Sequence, residues 1–179
     1  MYKKRSFCFW KKLKNQKGFT LTEVIVIISI LGVMAAISIP SYISWLPRHR
    51  LQTSVRQIYD DMNIAKIRAV KDNIVAVIIF TPATNTYSVF LDTSGNWAWD
   101  GGETIIRQNA PLENGVTITG TTLPSHTSGF NNRGMLPIGA TPGGVVQLTN
   151  PTGLLMGVNV NAAGGISIVT STDNWVTWS

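Results

Sequence analysis

Cysteine is almost missing from this chain: Cys8 is the only one, and no paired-cysteine spacing of the kind that holds zinc occurs. Histidine is nearly as scarce. His49 and His126 stand alone in sequence, and no glycine loop of the phosphate-cradling type accompanies them. With neither nucleophile, metal cluster nor nucleotide motif, the chain is expected not to be an enzyme. Acid is missing from residues 1–18, which hold seven basic residues (Lys3, Lys4, Arg5, Lys11, Lys12, Lys14 and Lys17). Long apolar runs are missing too, except for one, from Val24 to Ile39. Neither an internal repeat nor a low-complexity linker is apparent.

What is present concentrates at the junction of the basic segment and the apolar run, Gly18-Phe19-Thr20-Leu21-Thr22-Glu23. Residues 19–39 would rise about 31 Å as a helix, roughly one hydrocarbon core. A single carboxylate, Glu23, lies at the mouth of that span, where an acid is costly and seldom accidental. An ordinary secretory signal or signal anchor is the plain alternative, but its apolar region would not carry an acid just after a Gly-Phe junction.

The basic leader, the glycine, the Phe-Thr-Leu-Thr-Glu pentapeptide and the apolar helix together resemble the class III signal of type IV prepilins and type II secretion pseudopilins. The resemblance covers about the first quarter of the chain. It implies cleavage between Gly18 and Phe19 by a membrane-embedded aspartyl prepilin peptidase, and N-methylation of the new Phe19 amine. It also implies that Glu23 pairs with the Phe19 amine of a neighbouring subunit and so sets axial register during assembly. The pairing would offset the burial cost of both charges; in the alternative, Glu23 snorkels to the headgroups.

Cleavage changes the composition. Without residues 1–18, the 179-residue chain keeps 161 residues with eight Lys or Arg against nine acids, so the formal charge of +6 falls to about −1. Cys8 leaves with the leader, which removes any disulfide or thiol nucleophile. The excess of basic residues before the span over Arg48 and Arg50 after it keeps the leader cytoplasmic. The expected location is the bacterial inner membrane, single-pass with the carboxyl-terminal domain periplasmic, and then a filament. The implied partners are other pilins or pseudopilins, the prepilin peptidase and the inner-membrane assembly platform.

Past the span, Leu51, Val55, Ile58, Met62, Ala65 and Ala69 recur at helical spacing and form one apolar stripe, with the charged residues mostly off it, Asp60 and Asp61 included. One helix is therefore expected from Phe19 to about Asp72, interrupted at Pro40 and Pro47. Pro40 matches the proline that pilins commonly carry in this helix. Extended, β-branched runs follow at 74–80, 87–91, 104–107, 116–119, 145–148, 154–160 and 166–169, separated by Gly, Pro and Asn turns. The expected fold class is α+β and pilin-like, a long amino-terminal helix packed on a small antiparallel β domain. Its divisions are a leader (1–18), a transmembrane and assembly half-helix (19–43) and a globular domain (44–179).

The order of pieces is similar to the GspH/FimT group of minor pseudopilins and minor pilins: a helix ending in Ala65-Lys66-Ile67-Arg68-Ala69-Val70, a hairpin from Phe90-Leu91-Asp92 to Gly102-Glu103, a Phe130 to Gly134 segment, and a terminal Asn161-Ala162-Ala163-Gly164-Gly165-Ile166 hairpin. That likeness implies a minor subunit of a type II secretion pseudopilus. The alternative is a minor pilin priming a type IV pilus for motility, adhesion or DNA uptake. Major pilins with a disulfide-closed loop fit poorly. Some members of the group bind DNA through a Gly-Arg-x-Arg motif, but the corresponding residues here are Gly164-Gly165-Ile166-Ser167, so nucleic acid is not an expected partner.

Within residues 92–103, Asp92, Ser94, Asn96, Asp100 and Glu103 occupy positions one, three, five, nine and twelve, the oxygen-bearing positions of a calcium loop. Trp97 stands where such a loop needs glycine, and a hairpin rich in turn formers gives the same string without metal. No other cofactor is implied. Trp97 and Trp99 are expected to pack in the hairpin, whereas Trp175 and Trp178 are expected to be the more exposed pair.

Overall fold

A computed structural model describes residues 18–136 and 143–171. The leader through Lys17 and the pair Trp175 and Trp178 lie outside the described residues. The described residues divide into two units, the first ending at Ser41 and the second beginning at Tyr42.

Helix α1 (Leu21–Asp72) contains 52 residues. Its start is capped by Thr20, whose Oγ1 accepts the Glu23 N–H at 3.2 Å, satisfying one of the amide donors that open every helix. Pro40 and Pro47 do not interrupt it, contrary to the sequence expectation: the helical assignment is continuous through both. A proline removes only its own N–H from the ladder, and the residues around it keep theirs. Past the helix, Asn73 turns the chain with a left-handed φ of 54°.

In the second unit, eight strands form two antiparallel sheets. The first has the order β3-β2-β1-β5, built from β1 (Val75–Thr81), β2 (Thr86–Asp92), β3 (Thr104–Pro111) and β5 (Thr127–Phe130). The second has the order β4-β6-β7-β8, built from β4 (Thr117–Thr121), β6 (Gly143–Thr149), β7 (Leu155–Asn161) and β8 (Ile166–Ser171). Seven strands fall where the β-branched runs place them. The additional one, β5, is a four-residue strand with a glycine, too short and too irregular to show a period of two.

All six members of the expected helical stripe are buried, together with Ala76, Ile78, Phe80, Tyr87, Val89 and Leu91 from the first sheet and Val146, Leu148, Val158 and Val160 from the second. Burying each larger side chain in this cluster contributes about 1.5–3 kcal/mol. Val77 and Phe90 are also buried, but they lie on alternate positions that face away from this cluster. Across the strands Val77 is paired with both Phe90 and Gly129, so the three form a row on the far face of the first sheet.

Candidate functional site

The amino-terminal unit combines one acid with a fully exposed apolar surface. Phe19 is 77% exposed, and side chains from Leu21 through Ile39 are likewise uncovered. An 18-residue window in this part of the helix reaches a mean hydropathy of 2.5 with none of it buried, long and apolar enough to cross a membrane. Its hydroxyls are internally satisfied, since Ser29 and Ser38 each donate to the carbonyl four residues back at 2.8 Å. Glu23 occupies the third helical position, where a negative charge interacts favourably with the helix dipole. Among the described residues it forms no ion pair.

At the start of the second unit, Tyr42 and Trp45 are exposed, and the Trp45 ring stacks on His49 with centroids 4.4 Å apart. Tyr and Trp are the side chains favoured at headgroup depth, with an apolar body and a polar tip. His126, the other histidine, has its Nδ1 2.7 Å from Thr121 Oγ1. Each imidazole is thus engaged in a local contact.

Deeper in the second unit, Asp61 is only 2% exposed, which corrects its expected placement off the buried stripe. The Tyr87 hydroxyl donates to Asp61 Oδ2 at 2.6 Å, Arg107 Nε donates to both Asp61 oxygens at 3.1 and 3.2 Å, and Gln57 donates to the Tyr87 oxygen at 3.0 Å. Burial, followed by the hydrogen bond to Asp61 and its negative charge, holds the Tyr87 hydroxyl protonated well above the ordinary tyrosine range. A carboxylate between helix and sheet is tolerated because its oxygens are fully partnered. Helical spacing offered a signal for Asp61, which falls three residues after Ile58 and four before Ala65 on the face of the apolar stripe, although its charge pointed to solvent. A second hint was a single basic residue, Arg107, at the end of the β-branched run 104–107.

The loop between β2 and β3 is organised around Asp92. Its Oδ1 accepts from Gly95 N at 2.6 Å and Ser94 Oγ at 3.1 Å, and its Oδ2 from Trp97 N at 2.8 Å. Burial pushes this carboxyl up, but the hydrogen bonds from Trp97, Gly95 and Ser94 outweigh it, and the net effect holds it below the ordinary 3.8. Asp100 Oδ2 lies 3.0 Å from Ser94 Oγ and accepts from Asn96 Nδ2 at 2.6 Å, while Asn96 Oδ1 accepts from Ala98 N. Glu103 is 9% exposed; its Oε1 accepts from Thr93 N at 3.0 Å, and its Oε2 is buried with no hydrogen-bond partner.

The same loop returns over the far face of the first sheet. Trp99 meets Phe90 edge-on with centroids 5.6 Å apart. Gly129 has no room for a side chain, because a Cβ there would lie 2.6 Å from the Ala76 carbonyl and 2.8 Å from the Trp97 ring. Trp97 thus packs over Gly129 as expected, whereas Trp99 touches Phe90 by its edge and stays 40% exposed. At the terminal hairpin, Lys66 Nζ donates to the Gly164 carbonyl at 2.8 Å, which ties the helix to the turn that precedes β8.

A long amino-terminal helix with an exposed apolar first stretch, whose later turns share a core with two antiparallel sheets, defines the pilin-like class. Comparison with known proteins sharpens this. Residues 54–164 match the family model described as Type II transport protein GspH, and residues 13–39 match the prokaryotic N-terminal methylation motif. The chain belongs to the GspH family.

Among curated proteins it is 33% identical over 89 residues to a fimbrial protein of Pseudomonas aeruginosa, covering 46% of this chain and 57% of that protein. It is 28% identical over 90 residues to the pilin-like protein PilA1 of Thermus thermophilus, covering 50% and 56%. The chain thus spans little more than half the length of these relatives. Among solved structures, the type IV minor pilin FimU of Pseudomonas aeruginosa superposes with a TM-score of 0.52 at 16% identity, covering 68% of this chain and 89% of that one. The minor pseudopilin EpsH from the Type 2 Secretion System of Vibrio cholerae superposes with a TM-score of 0.51 at 11% identity, covering 69% and 99%. At such identities the two structures establish the shared fold.

Proposed function

We propose that this protein is a minor subunit of a type II secretion pseudopilus, with a mechanical rather than catalytic role in protein secretion. A prepilin peptidase cuts between Gly18 and Phe19 and methylates the Phe19 amine; the inner-membrane platform then draws the subunit into a filament of other pseudopilins. The seven basic residues of the leader hold the amino terminus in the cytoplasm, and the domain from residue 44 onward lies in the periplasm.

The observation that carries this reading is Glu23, an acid at the capped start of an exposed apolar helix, with no ion pair among the described residues. A carboxylate left alone in hydrocarbon is costly, and a neighbouring subunit's Phe19 amine offsets that cost only on docking. Pro40 would let the helix loosen in the filament, since it removes one rung of the hydrogen-bond ladder. The test is Glu23→Ala in the full chain. Membrane insertion and leader cleavage should persist while recovery in sheared filaments falls at least tenfold, and normal recovery would overturn the pairing.

A second reading, a minor pilin priming a type IV pilus, is favoured by the likeness to FimU, which matches that to EpsH in quality. Deleting the gene and scoring secretion against twitching motility separates the two.

A further inference from the structure

The geometry points to a calcium site in the loop between β2 and β3, with oxygen ligands from Asp92, Ser94, Asn96, Asp100 and Glu103. Three carboxylates fall within twelve residues, and no Lys or Arg occurs between Lys71 and Arg107 to balance them. The independent sign of a missing partner is Glu103. It is nine-tenths buried, its Oε1 is anchored by Thr93 N against the start of the loop, and its Oε2 has no partner at all. A buried carboxylate oxygen without a donor is strongly unfavourable unless a cation or water completes it.

Ser94 adds a second imbalance. Its hydroxyl lies 3.1 Å from Asp92 Oδ1 and 3.0 Å from Asp100 Oδ2, yet it has one proton to give. One of those oxygen pairs is in contact without a hydrogen, an arrangement that a shared cation makes favourable. Spacings of about 3 Å between neighbouring oxygens are also those expected around an ion bound at roughly 2.3–2.6 Å.

The sequence objection to a calcium loop was Trp97 at the glycine position. Trp97 nevertheless adopts φ +63°, the left-handed conformation that the position demands, held there by its N–H to Asp92 Oδ2. The acids do not yet meet at one point: among the described residues no three acidic, histidine or cysteine side chains form a metal group. Binding therefore closes the loop, drawing Asp100 and the free Glu103 oxygen toward Asp92. Beside Asp92, Thr93, Ser94 and Asn73 lies an open depression of about 330 Å³. Mixed neutral and charged oxygens on an irregular loop suit Ca²⁺, whereas Mg²⁺ demands a tight octahedron.

The experiment is thermal unfolding of the full chain in detergent micelles, followed by tryptophan fluorescence, in EGTA, in 5 mM CaCl2 and in 5 mM MgCl2. Calcium should raise Tm by about 5 °C and magnesium by less than about 1 °C. Trp97 and Trp99 should sensitise terbium luminescence that calcium quenches by displacement. Asp100→Asn, at an exposed position, should keep the EGTA melt and lose most of the calcium shift; Glu103→Gln should lose it as well. Equal melts in EGTA and calcium, an equal response to magnesium, or an unchanged calcium shift in Asp100→Asn would each overturn the site.

Discussion

The two units of this chain treat the same kinds of side chain in opposite ways. Up to Ser41 the helix leaves its Ile, Leu and Val side chains uncovered and its one acid without an ion pair among the described residues. From Tyr42 onward the apolar stripe is buried, and Asp61 and Asp92 are surrounded by donors. Among the described residues the second unit covers most of its own apolar side chains, whereas the first leaves them for something else to cover, a bilayer and then, on the reading above, neighbouring helices.

The contrast predicts a separation of phenotypes. The largest effect should come from Glu23→Ala, with incorporation into filaments reduced tenfold or more while the melting temperature of the second unit stays the same. Next comes a matched pair in the one helix. Ile58→Ala should destabilise the domain by about 2–5 kcal/mol in a denaturant titration, because it empties a fully buried site. Ile28→Ala, in the exposed stretch, should leave that titration within about 0.5 kcal/mol of the parent. Equal effects would mean that the units are not energetically distinct.

A smaller loss, about 1–2 kcal/mol, is expected for Tyr87→Phe, which takes from buried Asp61 its shortest donor. The smallest effect concerns pH. The Asp92 carboxyl is depressed in the folded state, so its contribution is fully present above the ordinary 3.8 and is lost as pH falls below that value through the native one. The parent should therefore lose Tm more steeply than Asp92→Asn in acid. Parallel curves would remove Asp92 from its organising role.

Much of this was legible in the residues themselves. The 4-3-4-3-4 spacing from Leu51 to Ala69 named a stripe of which every member is buried, and seven β-branched runs named seven strands. Both are local periodicities, imposed by helix and strand geometry, and a sequence carries them directly. Asp61, Glu103 and β5 were less visible, for a different reason. Asp61 is a buried acid because Tyr87 and Arg107, 26 and 46 residues away, reach it; β5 is a strand because β1 offers it an open edge.

The sequence by itself determined the amino-terminal signal, the apolar span with its single acid and the α+β order of elements, since each depends on neighbours in the chain. Only the tertiary structure decided which carboxylates are partnered, that Trp97 packs over Gly129 while Trp99 meets Phe90 by its edge, and that one oxygen of Glu103 is left bare. Those outcomes depend on where the two sheets and the helix bring distant residues together, and no local pattern encodes a contact between residues that are far apart in sequence.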